Sequence, residues 1–164
     1  VRFQHLKLGE FILFFILVIG INAPIILMEH RKELHKVQFT EASLKDARNM
    51  AIRENKPIFI EIGTTWCFSC HRIRKQVYTH KDVGSFFNEH FVNIAMDKGS
   101  HEAAIWIELI QPKELPVLVI IDSMGNFLLS IQGFLKPEDL IQFGKTGLNR
   151  IHTNGTTNIK MYLL

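Results

Sequence analysis

Apolar positions divide this chain into two regimes. From Phe11 to Met28 the sequence FILFFILVIGINAPIILM is apolar at 15 of 18 positions and carries no charge, whereas from Phe39 onward apolar residues recur in short runs at helical or strand spacing. Ser43-Leu44-Lys45-Asp46 reads as an N-cap with an acid three residues later. It predicts a helix with Leu44, Ala47 and Ala51 facing inward, ending before Asn55-Lys56-Pro57. Ile58-Phe59-Ile60-Glu61-Ile62 suits a strand buried on both faces, with Glu61 the anomaly in it. Gly63-Thr64-Thr65 is turn chemistry, and Cys70, Ile73 and Val77 then recur at helical spacing, predicting a helix from Cys67 to about Tyr78. A short helix over 82–89, a strand over 91–96 and a helix capped by Ser100 and running through Ile110 follow, with Ala103 and Trp106 placed in the core. Val117 to Ile121 and Phe127 to Gln132 read as a hairpin around Ser123-Met124-Gly125-Asn126, with Gly133 at a bulge or close approach. Pro137-Glu138-Asp139 opens a last helix, expected to end near Gly144 or Gly147.

For Phe11–Met28, length argues against a buried core helix. Ala23 has Ile21 two positions before it and Pro24 after it, which is poor cleavage chemistry, so an uncleaved signal anchor leads and a cleaved signal peptide comes second. Arg2 and Lys7 precede the run while Arg31, Lys32 and Lys36 follow it, leaving orientation open. The resulting organisation is a signal anchor or signal peptide over 1–30, a connector over 31–38, a domain over 39–148 and a loose tail over 149–164.

Composition changes this picture in two ways. A chain of 164 residues holds one domain of ordinary size. The net charge of +3 is carried by Lys145, Arg150 and Lys160, while residues 31–144 hold 14 basic and 14 acidic side chains. The body therefore lacks the basic stripe that phosphate neutralisation needs, which argues against nucleic-acid binding.

The chain has two cysteines, Cys67 and Cys70, and both stand at the first strand-to-helix junction of a βα, βα, hairpin, α order. Two cysteines three apart on a helical first turn face the same side, near the separation a disulfide needs. Cys67 meets unpaired N–H groups and the positive end of the helix dipole, which favour a thiolate, so it is the expected nucleophile. Cys70, one turn inward, is the expected resolving thiol. Glu61, in the strand beneath, is the candidate acceptor of the Cys70 proton, its pKa raised if buried; the other reading is a strand-end acid reaching solvent. Arg72, Arg74 and Lys75 read as a solvated helix face. Cys67, Cys70 and His71 could also hold a soft metal, but a fourth ligand is missing nearby. No metal and no cofactor is expected.

Over roughly Phe39 to Leu148 the chain resembles the thioredoxin superfamily. Trp66-Cys67-Phe68-Ser69-Cys70 matches W-C-x-x-C, Leu115-Pro116 matches the pair holding the family's cis-proline, Glu61 stands at the buried-acid position and Gly133 follows the hairpin. Glu54-Asn55-Lys56-Pro57 before the strand is most similar to bacterial thioredoxin-like domains related to the C-terminal domain of the membrane thiol reductant transporter. The resemblance implies a thioredoxin-like α/β fold with a central mixed sheet flanked by helices, here with an N-terminal membrane segment at 11–28. It implies a thiol-disulfide oxidoreductase acting on disulfide-containing or dithiol protein substrates. Trp66, Leu115 and Pro116 would bind substrate, and the domain would face the periplasm at the bacterial inner membrane or be exported. The alternative is a metallochaperone or redox-inactive interaction module on the same fold. Two departures stand out: Phe68-Ser69 replaces the Gly-Pro of thioredoxin, and Asn93 lies where thioredoxins keep a lysine near the buried acid.

Overall fold

A computed structural model describes residues 35–153. The segment expected to enter a membrane, the first half of the connector and the last part of the tail lie outside the described residues. Among the described residues no helix is long and apolar enough to cross a membrane. In chain order the elements are α1 (Leu44–Glu54), β1 (Ile58–Gly63), α2 (Phe68–Gln76), α3 (Lys81–His90), β2 (Val92–Asp97), α4 (His101–Ile110), β3 (Val117–Ile121), β4 (Phe127–Gln132) and α5 (Pro137–Thr153).

Local chemistry sets the helix starts. Ser43 and Ser100 are extended N-caps whose hydroxyls accept from the N–H groups of Asp46 and Ala103, satisfying donors that the first helical turn leaves unpaired. Asn55, with φ 52°, closes α1 in the left-handed region. The last helix differs from expectation: it continues to Thr153, past both glycines. A Cβ on Gly144 would meet the Phe86 ring at 2.5 Å, and one on Gly147 would meet Ile120 Cδ1 at 2.7 Å. These glycines are places where α5 lies close against its neighbours, and that packing outweighs their low helix propensity.

The four strands form a mixed sheet in the order β2-β1-β3-β4. β1 runs parallel to β2 and antiparallel to β3, and β3 is antiparallel to β4. All six residues of β1 are buried, as expected of a central strand. Strand alternation sends Ile58, Ile60 and Ile62 to one face, where they pack with Leu44, Ala47 and Ala51 of α1 and Ala103 and Trp106 of α4. Phe59 goes to the other face, among Ile73 of α2, Val83 and Phe87 of α3, and Leu140 and Phe143 of α5. Burying each such aliphatic or aromatic side chain contributes about 1.5–3 kcal/mol. The same alternation places Glu61 on the Phe59 face, beneath α2.

Register gathers the loops at one end of the sheet. Gly63 pairs with Asp97, Ile62 with Val117, and Val117 with Gln132. The turn leading to Cys67, the loop after β2, Leu115–Pro116 and Gly133 therefore share that end.

Candidate active site

Cys67 is the N-cap of α2, with extended backbone (φ −81°, ψ 107°), and its sulfur accepts from the Cys70 N–H at 3.0 Å. A disulfide joins Cys67 to Cys70 across a Cα–Cα distance of 5.2 Å. Cys67 is partly exposed and Cys70 is buried, so a reagent arriving from solvent meets the first sulfur. The first turn of α2 holds no acidic residue, leaving nothing there to oppose negative charge on Cys67 when the bond is reduced. The His71 ring joins Thr65 O through Nε2 at 2.8 Å, pinning the turn before Cys67 to the helix after it.

Glu61 is fully buried, with 0% exposure, which removes the solvent-reaching reading of this acid. A Cβ added at Gly63 would lie 2.9 Å from Cys70 Sγ and 3.5 Å from Glu61 Oε1. The resolving sulfur and the carboxylate thus converge on the space that glycine leaves open. Burial raises the Glu61 pKa above the ordinary value of 4.5, and the charge and hydrogen bond of Arg74 pull it part of the way back. Tyr78 is buried on the same side; burial, then the Glu61 charge, push its phenol well above 10. Its hydroxyl has no partner within full hydrogen-bond geometry.

Arg74 is the residue that sequence reasoning missed. Read as part of a solvated face, it does remain partly exposed, but it also donates from Nε to the buried Glu61, to Oε1 at 3.0 Å and Oε2 at 3.3 Å. The cation that Asn93 does not provide comes from α2. The signal was available: Arg74 follows Cys70 by four residues and so shares its side of the helix. Asn93 is buried and bonds backbone carbonyls of Gln38 and Phe87 and the Asn88 side chain through Nδ2.

The Leu115–Pro116 peptide bond is cis, with Pro116 buried and Leu115 half-buried. Two contacts hold the approach to it. Gln132 Oε1 accepts from the N–H groups of Lys113 and Glu114 at 2.7 and 3.0 Å, and the Gly133 N–H donates to Pro116 O at 2.9 Å. Gly133 has φ 83°, a conformation side-chain-bearing residues rarely adopt. Trp66 is 93% exposed and Phe68 80% exposed beside the disulfide. Among the described residues no three His, Cys, Asp or Glu side chains converge to hold a metal ion.

Comparisons with known proteins agree with this geometry. The family model described as Thioredox_DsbH, a protein of unknown function, DUF255, matches residues 19–161. A solution structure of a proposed disulphide-isomerase from Bacteroides thetaiotaomicron is 31% identical, with a TM-score of 0.63, covering 70% of this chain and 94% of that one. The oxidised DsbD C-terminal domain of Neisseria meningitidis shares the fold at 20% identity and a TM-score of 0.53, covering 68% of this chain and 98% of that one. Spermatogenesis-associated protein 20 of Rattus norvegicus is 33% identical over 54 residues, or 33% of this chain. The match spans only 7% of that relative's length.

Proposed function

This chain belongs to the Thioredox_DsbH (DUF255) family, and we propose that it is a thiol-disulfide oxidoreductase exchanging disulfides with protein substrates through Cys67 and Cys70. The observation that carries the reading is the disulfide-bonded pair at the head of α2 with a buried carboxylate beneath its inner sulfur. The name of the Bacteroides relative and the shared fold of the DsbD domain point the same way.

In the reduced form the Cys67 thiolate attacks one sulfur of a substrate disulfide. The substrate S–S bond breaks, its other sulfur leaves as a thiolate that takes a proton from solvent, and a mixed disulfide forms on Cys67. Glu61 takes the Cys70 proton, directly or through water, and the Cys70 thiolate attacks Cys67 Sγ. The mixed S–S bond breaks, the second substrate thiolate leaves, and the two electrons of the dithiol now reside in the substrate. The Cys67–Cys70 bond is the end of that sequence, and with a dithiol substrate the same steps run backwards. Trp66 and the Leu115–Pro116 backbone flank the approach to Cys67, the latter able to receive an extended segment by strand addition.

The apolar run from Phe11 to Met28 supports a tethered or exported domain; carbonate-resistant pelleting of the full chain would fit an anchor, and release into the soluble fraction would not. For the chemistry, turnover of a protein disulfide should vanish in Cys67→Ser, while Cys70→Ser should accumulate a mixed disulfide. Undiminished turnover in Cys67→Ser would overturn the reading, and stoichiometric metal uptake without turnover would favour the metallochaperone.

A further inference from the structure

The side of α2 turned to solvent is basic and unbalanced. Between Cys67 and Gln76 the chain carries His71, Arg72, Arg74 and Lys75 and no carboxylate. Arg74 is engaged by Glu61, and among the described residues neither Arg72 nor Lys75 has a carboxylate partner. Arg72 is nonetheless held in place. Its Cζ lies 3.9 Å above the Phe134 ring and its Nε donates to Gln76 Oε1 at 3.3 Å, so little further ordering is needed for it to receive an anion. Phe68, His71, Arg72, Lys75 and Gln76 together line a shallow concavity of about 430 Å³. Its apolar end is Phe68, which with Trp66 forms an exposed aromatic pair beside the redox sulfurs.

Spacing turns this surface into a template. At about 1.5 Å of rise per residue, Arg72 lies about 6 Å and Lys75 about 10 Å along the axis from Phe68. An extended peptide advances about 3.3 Å per residue, so the two cations fall opposite positions about two and about three residues from the one resting on Phe68. Two strongly exposed aromatic residues leading into cations that have no carboxylate partner among the described residues complement a segment that is apolar beside the cysteine and acidic just beyond it.

We infer that the protein substrates of this site carry acidic residues about two to three positions beyond an apolar neighbour of the exchanging cysteine, received by Arg72 and Lys75 while that neighbour packs on Phe68 and Trp66. The inference rests on the disulfide-exchange reading above and adds to it the class of substrate. The occupant is an extended acidic segment around a cystine.

The test uses peptide disulfides identical except for Glu, Gln or Lys at the third position on either side of each cysteine, with kcat/KM measured at low and at high salt. The expected order is Glu, then Gln, then Lys, with about three- to ten-fold between the extremes at low salt, narrowing as salt screens the exposed charges. In Arg72→Gln/Lys75→Gln the Glu-to-Lys ratio, taken within that one protein, should fall towards one. Equal rates for the three peptides, or a ratio unchanged in the double variant, would overturn the inference. Uncharged hydroxyethyl disulfide separates the two readings. If the wild type turns it over but ignores peptide charge, only the acidic-substrate inference fails; if the wild type exchanges no disulfide at all, the oxidoreductase reading fails and this inference with it.

Discussion

Arg74 Nε lies 3.0 Å from Glu61 Oε1, joining a guanidinium whose side chain is 43% exposed to a carboxylate with no exposure. The pair spans the boundary between solvent and the floor of the site. One partner sits on α2 beyond Cys70, the other on β1 beneath it, so the two elements that position the redox sulfurs are also joined electrostatically. The full burial of Glu61 and the partial exposure of Arg74 leave the carboxylate poised between two influences of opposite sign.

Stability should depend on pH through Glu61. Its folded-state pKa is raised from 4.5, so over the window between that value and the folded one the native protein holds a proton that the unfolded chain has released. The contribution is present in full below about 4.5 and is lost as pH rises through the folded pKa. Urea midpoints measured against pH should fall through that window in the wild type and lose that component in Glu61→Gln. Parallel profiles for the two proteins would contradict the assignment.

Glu61→Gln should also slow resolution of the mixed disulfide while leaving its formation intact, because only the second step needs a proton taken from Cys70. Quenched-flow trapping of the mixed disulfide reads the two steps separately. Equal resolution rates in both proteins would remove Glu61 from the chemistry.

Removing the Arg74 charge should move the Glu61 pKa further up, since the influence opposing burial is lost. The pH profile of resolution in Arg74→Gln should shift towards higher pH, with a several-fold slower rate at neutral pH, and Arg74→Lys should recover part of it. A residue acting only on folding would lower activity without moving the midpoint, which is the result that would count against this role.

Gly63→Ala should be costly in a way that its small size hides. The new methyl would sit 2.9 Å from Cys70 Sγ inside a strand that is buried throughout, and overpacking of this kind costs about 1–3 kcal/mol. Denaturant unfolding should show that loss, and single-turnover kinetics should show slower resolution as sulfur and carboxylate are pushed apart. A variant matching wild type in both would mean that the two groups do not share this space.

Gln132→Ala removes the acceptor of the Lys113 and Glu114 N–H groups and should loosen the approach to Leu115–Pro116. The expected signature is a higher KM for peptide disulfides relative to hydroxyethyl disulfide, with a stability loss of about 0.5–2 kcal/mol for the lost hydrogen bonds. An unchanged KM ratio would assign Gln132 to loop stability alone.

Much of this was legible because the governing forces are local. Ser43 and Ser100 announce helix starts through their own hydroxyls, and the near-continuous apolar run from Ile58 to Ile62 announces a strand covered on both faces. Cys67 and Cys70 state their chemistry by spacing. What escaped depends on who packs against whom. Gly144 and Gly147 read as helix stops because their tight contacts with Phe86 and Ile120 are set by distant segments. Arg74 read as solvent-facing because a run of basic residues says nothing about a carboxylate supplied by another element. Its long apolar stem lets it lie along the helix surface and deliver its charge to the interior edge.

β1 is paired on both sides and every one of its residues is buried. The floor of the site is consequently the segment whose amides should open to hydrogen exchange only when the whole domain does, whereas the Trp66 and Phe68 rim carries no such burden. The buried floor and the exposed rim therefore stand at opposite ends of the tolerance scale. Substitutions at the rim and along the outer side of α2 should cost little in folding, while a change at Glu61 or Gly63 tests the chemistry and the integrity of the sheet together.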